Sequence, residues 1–176
     1  MRLLSLTALS AMMFPALLGS THIELGSSKR VEQVAQASDA TPLIDEQDLR
    51  CLALNVYHEA RSEPESGQIA VARVTLNRVD SKAFPGSVCA VVKQGGVKRN
   101  RCQFSWWCDG RSDQPTDARA WRRAMEIARR VLNEAVPDPT RGALYYHANY
   151  TKPSWSRAYH RTTRIGRHLF YRPTKI

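Results

Sequence analysis

Apolar residues return at three- and four-residue steps in "DEQDLRCLALNVYHEAR", where Leu49, Leu52, Ala53, Val56, Tyr57 and Ala60 make one stripe behind an acidic first turn. That pattern predicts an amphipathic helix. Pro64 disfavours helical geometry at Glu63, so the helix should end near Ser62. "ESGQIAVARVTLNRV" is apolar on nearly all sides from Ile69 to Val79 and predicts a buried second helix. "PGSVCAVVKQ" reads as a short third helix, with Pro85-Gly86 as its turn and Ser87 as its cap. After a long loop from Gly95 to Pro115, Thr116 or Asp117 should cap "DARAWRRAMEIARRVLNEA". There Trp121, Ala124, Ala128, Val131, Leu132 and Ala135 face inward and five arginines face outward. Short candidate strands follow only at "ALYYHA" and "HLFYR". The pattern is that of a mainly α (α+β) fold without internal repeats.

Glu59 interrupts the polarity of the first helix. At about 100° per residue it falls roughly 20° from Leu52, on the edge of the apolar stripe. A carboxylate in a last helical turn faces the negative end of the helix dipole and is partly desolvated. Both effects favour the protonated form that a general acid needs. An ordinary acid paired with Arg61, Arg78 or another arginine fits the periodicity equally well. Glu63 and Glu65, flanking Pro64, read as exposed turn acids that begin the next helix. His58 raises the question of zinc, but a zincin helix needs His-Glu-x-x-His, and Ser62 stands where the second histidine belongs. No Gly-x-Ser-x-Gly elbow occurs either. Neither a metal nor another cofactor is expected.

Composition narrows the setting. The 176 residues, 43% hydrophobic and 24% charged, suit a single globular core. Residues 1–20 carry one Arg and then an apolar run, which reads as a signal peptide or an uncleaved N-terminal anchor. Residues 21–41 are polar and small, without periodicity, and read as a disordered linker. The catalytic domain should span 42–173. The protein is therefore expected to be exported, with membrane attachment only through the N-terminal segment, and is expected to be monomeric. The net charge is +10, and the last 36 residues hold eight basic residues and no acid. An anionic envelope polymer suits that face, although basicity for solubility alone accounts for it as well. Nothing resembles a helix-turn-helix, a zinc finger or an RNA-binding signature, so no nucleic acid is expected.

Four cysteines in an exported chain point to two disulfides. Cys102 and Cys108 frame the short loop "CQFSWWC" and form the local pair, which leaves Cys51 with Cys89. The spacings do not match the short hooks of a thiolate zinc site. That loop gathers aromatics with amides and hydroxyls, and flat rings bordered by polar groups suit a sugar, whose C–H faces stack while its hydroxyls bond. Gln103, Phe104, Ser105 and Trp107 are candidate substrate contacts, joined by Tyr146, His147 and Trp155 from "YYHANYTKPSW". Phe104 also reads as a plug that fastens the loop to the core.

Taken in order, "CLALNVYHEARSEPESGQIAVARVTLNRV", "FPGSVCAVVKQ", "CQFSWWCDG", "GALYYHANY" and "RIGRHLFYR" resemble the successive blocks of the SleB-type (spore-cortex-lytic) cell wall hydrolase family. The resemblance covers about Asp48 to Arg172, and the cysteine-containing loop is similar to that of exported Gram-negative members, which implies a protein that is periplasmic or anchored in the inner membrane facing the periplasm. It implies a compact lysozyme-like domain, related to lytic transglycosylases, that cuts peptidoglycan glycan strands between N-acetylmuramic acid and N-acetylglucosamine. The family's catalytic glutamate carries over to Glu59 in "HEARSE", with Ser62 in place of the usual Gly. Gln68, Asn77 and Arg78 match a helix block for which structural roles are expected. One acid implies a lytic transglycosylase. The alternatives are a hydrolytic muramidase using Glu63, Glu65 or Asp109 as second carboxylate, and a protein that binds peptidoglycan without cutting it.

Overall fold

Asp45 starts the first helix: its carboxylate accepts from the backbone N–H groups of Gln47 at 2.7 Å and Asp48 at 3.3 Å, donors that a helix start leaves unpaired. The computed structural model describes residues 45–99, 101–133 and 135–174. In it α1 spans Glu46–Ala60, α2 Glu65–Val79, α3 Val88–Val92 and α4 Ala118–Asn133. The expected segments 1–20 and 21–41 lie outside the described residues. Among the described residues no helix is long and apolar enough to cross a membrane.

The predicted stripe of α1 is buried along its whole length and packs with Val88 and Val92 of α3, Phe104, and Ala124, Ile127, Ala128 and Val131 of α4. Ser87 caps α3 through its hydroxyl, as expected. Asp117 rather than Thr116 caps α4, accepting from the N–H groups of Arg119 and Ala120. The Tyr57 hydroxyl accepts from the backbone N–H groups of Thr116 and Asp117, both at 3.0 Å, and so fixes where α4 begins against α1. Ala135 does not face inward. The helix ends at Asn133, so helical phase no longer carries that residue to the core, and it is exposed. Both disulfides form with the expected pairing, Cys51–Cys89 joining α1 to α3 and Cys102–Cys108 closing the aromatic loop.

Three antiparallel strands, β1 (Tyr145–Ala148), β2 (His160–Ile165) and β3 (His168–Arg172), form a sheet in the order β1-β3-β2. β1 and β3 fall on the two expected segments. β2, "HRTTRI", lacks the alternating apolar pattern that marks a strand, because it is a partly exposed edge. Phe170 of β3 packs on Ala70 and Val74 of α2, so the sheet lies against that helix.

Glu63 corrects the expectation of an exposed turn acid, for its side chain is only 3% exposed. Arg167, in the turn from β2 to β3, donates its backbone N–H to Oε2 at 2.9 Å and its Nε to Oε1 at 2.7 Å. Gly166 has φ 56°, and a Cβ there would collide with the Glu63 carboxylate, so both the turn and the contact require glycine. One buried carboxylate thus clamps the hairpin to the α1–α2 turn. Glu65 is exposed, as expected, and bridges to Arg123 and Arg130 of α4.

Burial alone would raise the pKa of Glu63, but the Arg167 N–H groups, with the nearby charges of His168 and Arg167, hold it below the ordinary carboxylate range. Because the folded pKa is the lower one, this stabilisation is complete above the unfolded value of about 4.3 and is lost as pH falls toward the folded pKa. Acid unfolding should therefore be less steep in Glu63→Gln than in the wild type. Arg167→Ala strands a buried carboxylate and should cost about 2 kcal/mol by denaturant titration.

Candidate active site

α1 delivers Glu59 in its last turn, half-buried, about one turn after the buried Asn55 and Val56. The Tyr146 hydroxyl donates to Glu59 Oε2 at 3.1 Å. Burial pushes the Glu59 carboxyl above the ordinary carboxylate range, while the Tyr146 hydrogen bond and the Arg78 charge pull the other way without cancelling it. Tyr146 is pushed well above the usual phenol range, first by burial and then by the negative charge of Glu59, so it remains a donor. The pair is a protonatable acid held by a hydroxyl that does not ionise near neutral pH.

Arg78 lies behind this pair, 2% exposed. Its Nε donates to Leu144 O at 2.7 Å, and its guanidinium sits 5.3 Å from the ring centres of Phe84 and Phe104. Neighbouring Asn77 donates to Ala143 O at 3.0 Å and to Asp138 at 3.0 Å. Two consecutive residues at the end of α2 therefore dock the chain that enters β1, and this sets Tyr146 opposite Glu59. The structural roles expected of Asn77 and Arg78 have this content, with the electrostatic effect of Arg78 on Glu59 in addition.

The aromatic loop reaches the same end of α1 through Trp106. Its indole N–H donates to Asn55 Oδ1 at 3.2 Å, Asn55 Nδ2 donates to Thr75 of α2 at 3.1 Å, and the indole stacks on His58 at 4.5 Å between ring centres. His58 in turn meets Asp113 O at 3.1 Å. Neither Asn55 nor Trp106 stood among the candidate site residues. Asn55 had a readable signal: it lies four residues before Glu59, on the same edge of the apolar stripe, and a second polar residue there needs a partner.

Strand alternation separates the other candidates. Tyr146 points to the helices with Phe170, whereas His147 and Trp155 lie on the outer face, packed against Tyr171. Phe104 is in the core, 3% exposed, as the plug reading had it. Gln103 and Ser105 are exposed, and Trp107 is half-buried beneath the Lys93 ammonium. A cavity of about 910 Å³ is lined by Arg61, Ser62, Glu63, Pro64 and Gln68, the turn after Glu59, and by the start of α4, but not by Glu59 itself. Among the described residues no group of three or more His, Cys, Asp or Glu could hold a metal ion.

Residues 62–171 match the Cell Wall Hydrolase family. The chain belongs to that family. This cell wall hydrolase domain is 34% identical over 148 residues to the spore cortex-lytic enzyme of Bacillus subtilis (strain 168), an alignment covering 81% of this chain and 43% of the relative. The chain thus spans about two-fifths of the length of that curated relative. Among solved structures it is similar to the catalytic domain of the germination-specific lytic transglycosylase SleB from Bacillus anthracis. That match has 31% identity and a TM-score of 0.58, over 72% of this chain and 95% of that one. It is also similar to the catalytic domain of the Bacillus cereus SleB protein, at 30% identity and a TM-score of 0.53, over 71% and 89%. The fold is the mainly helical, lysozyme-like one that the sequence blocks implied. Removing the Tyr146 hydroxyl takes away a hydrogen bond that favours the ionised acid, so Tyr146→Phe should move the Glu59 pKa further up. Titration of the Glu59 carboxyl by ¹³C NMR reads the shift, and a downward move would contradict this account of the pair.

Proposed function

We propose that the cell wall hydrolase domain cleaves peptidoglycan glycan strands between N-acetylmuramic acid and N-acetylglucosamine as a lytic transglycosylase, with Glu59 as its single acid and base. The observation that carries this reading is the Glu59–Tyr146 pair, a desolvated carboxyl with a raised pKa and one oxygen already engaged. Tyr146 occupies Oε2, which leaves Oε1 to carry the proton. Protonated Glu59 gives that proton to the glycosidic oxygen as an oxocarbenium-like transition state forms. The Tyr146 hydroxyl and the Arg78 charge then stabilise the carboxylate left behind. As a base, the same carboxylate takes the proton from the C6 hydroxyl of the muramoyl sugar, which closes a 1,6-anhydro ring with help from the substrate's N-acetyl group.

The surroundings of the other carboxylates favour this single-acid scheme over hydrolysis by a second one. Both oxygens of Glu63 are taken by Arg167, Glu65 is bound to arginines of α4, and Asp109 accepts from the backbone N–H of Arg111 in its own loop. The name of the similar Bacillus anthracis domain, a lytic transglycosylase, points the same way. Action on peptidoglycan places the protein outside the cytoplasm, in keeping with its two disulfides, and the periplasm is the compartment we propose.

The test is digestion of purified sacculi. The wild type should release muropeptides with 1,6-anhydromuramoyl ends, and Glu59→Gln should lower the rate by about 10²–10⁴, the worth of a positioned general acid. Reducing muramic ends carrying solvent oxygen would replace transglycosylation by hydrolysis. Clearing by Glu59→Gln at the wild-type rate would remove Glu59 from the chemistry.

A further inference from the structure

The basic residues of the C-terminal segment are not used by the proposed cleavage, and the fold organises their charge. β2 contains an irregularity between Arg161 and Thr163: Arg161 pairs with Tyr171, while Thr163 already pairs with Phe170. In an unbroken strand, positions three apart lie on opposite faces. The extra residue cancels one alternation, and Arg164 then pairs with Leu169, two residues from Tyr171 on the same face of β3. Arg161 and Arg164 therefore stand together on the outer face, away from the Glu59–Tyr146 pair. Both are exposed, and among the described residues neither has an ion-pair partner.

A cavity of about 610 Å³ opens at this place, lined by Asn149, Arg161, Thr162, Thr163, Arg164 and Leu169. On the same face of the sheet, outside the cavity's lining, the His147 ring stacks on Tyr171 at 5.2 Å and meets its hydroxyl at 3.0 Å, with Trp155 edge-on to both. No acidic residue occurs from 141 to 176 to compete for the arginines. The surface is a groove with two forked cations and an amide, the chemistry that holds carboxylates.

We propose that this outer groove binds the free carboxylates of peptidoglycan stem peptides and holds the domain on the polymer while Glu59 works on the glycan strand. The inference rests on peptidoglycan being the substrate. Stem peptides present carboxylates repeatedly along each strand, so a weak site of this kind acts many times over and raises the local concentration of the enzyme.

Cosedimentation with purified sacculi tests the groove, with the full chain carrying Glu59→Gln to suppress cutting. Adding Arg161→Ala and Arg164→Ala should raise the protein concentration for half-binding about tenfold at low salt and flatten its dependence on NaCl. The paired Arg→Lys changes keep the charge but not the fork, and should bind between the wild type and the alanine pair. Sacculi whose carboxyls have been amidated should bind the unaltered groove as weakly as native sacculi bind the alanine pair. Unchanged binding by the alanine pair overturns the proposal, as does full-strength binding to amidated sacculi or a lysine pair as weak as the alanine pair. Displacement from sacculi by phosphatidylglycerol vesicles would instead give the groove to lipid phosphate and overturn it too. Thermal melts show that the variants are folded. Clearing of the same sacculi by the wild type is read separately, so failure of the groove and failure of the cleavage reading give different results.

Discussion

Glu59 and Tyr146 belong to different parts of the fold, one at the end of α1 and the other in β1, and their hydrogen bond requires both parts to be placed within a fraction of an ångström. The placement is over-determined. Asn77 and Arg78 hold the chain entering β1, Phe170 seats the central strand on α2, and Arg167 locks the β2–β3 turn to Glu63, four residues beyond the acid. Each of these contacts bridges helices and sheet. The acid is desolvated because they do.

The same contacts tie up the charges nearest the acid. Glu63 has both oxygens bound and cannot turn toward Glu59 without abandoning Arg167. Arg78 is held by Leu144 O and by aromatic rings, close enough to moderate the pKa of Glu59 without forming a salt bridge that would keep the carboxyl ionised. A direct arginine pair, the ordinary alternative for an acid at a helix end, would have lowered the pKa. The structure puts a phenol in that place.

The helices were legible in the sequence because their stripes and caps are local: Leu49 to Ala60, Ser87 and Asp117 all act within a few residues. Glu59 was legible for the same reason, as an acid at the wrong phase of one helix. Glu63 was not, because its burial depends on Arg167, 104 residues away. β2 escaped notice because an edge strand carries no alternating apolar pattern and this one is irregular besides. The separation of Tyr146 from His147 was readable in principle, since adjacent residues of a strand point to opposite faces. Trp106 was recognisable as an aromatic in a clipped loop, but its partner Asn55 needed the fold to bring it there.

The order of the sheet also bears on how the domain is made. β3, the last strand in the chain, is the middle one, and β1 and β2 have no pairing with each other. Although α2 docks the chain that enters β1, β1 has no strand to pair with until residues 168–172 are in place. The acid's partner therefore stands in a paired strand only when the chain extends through residue 171.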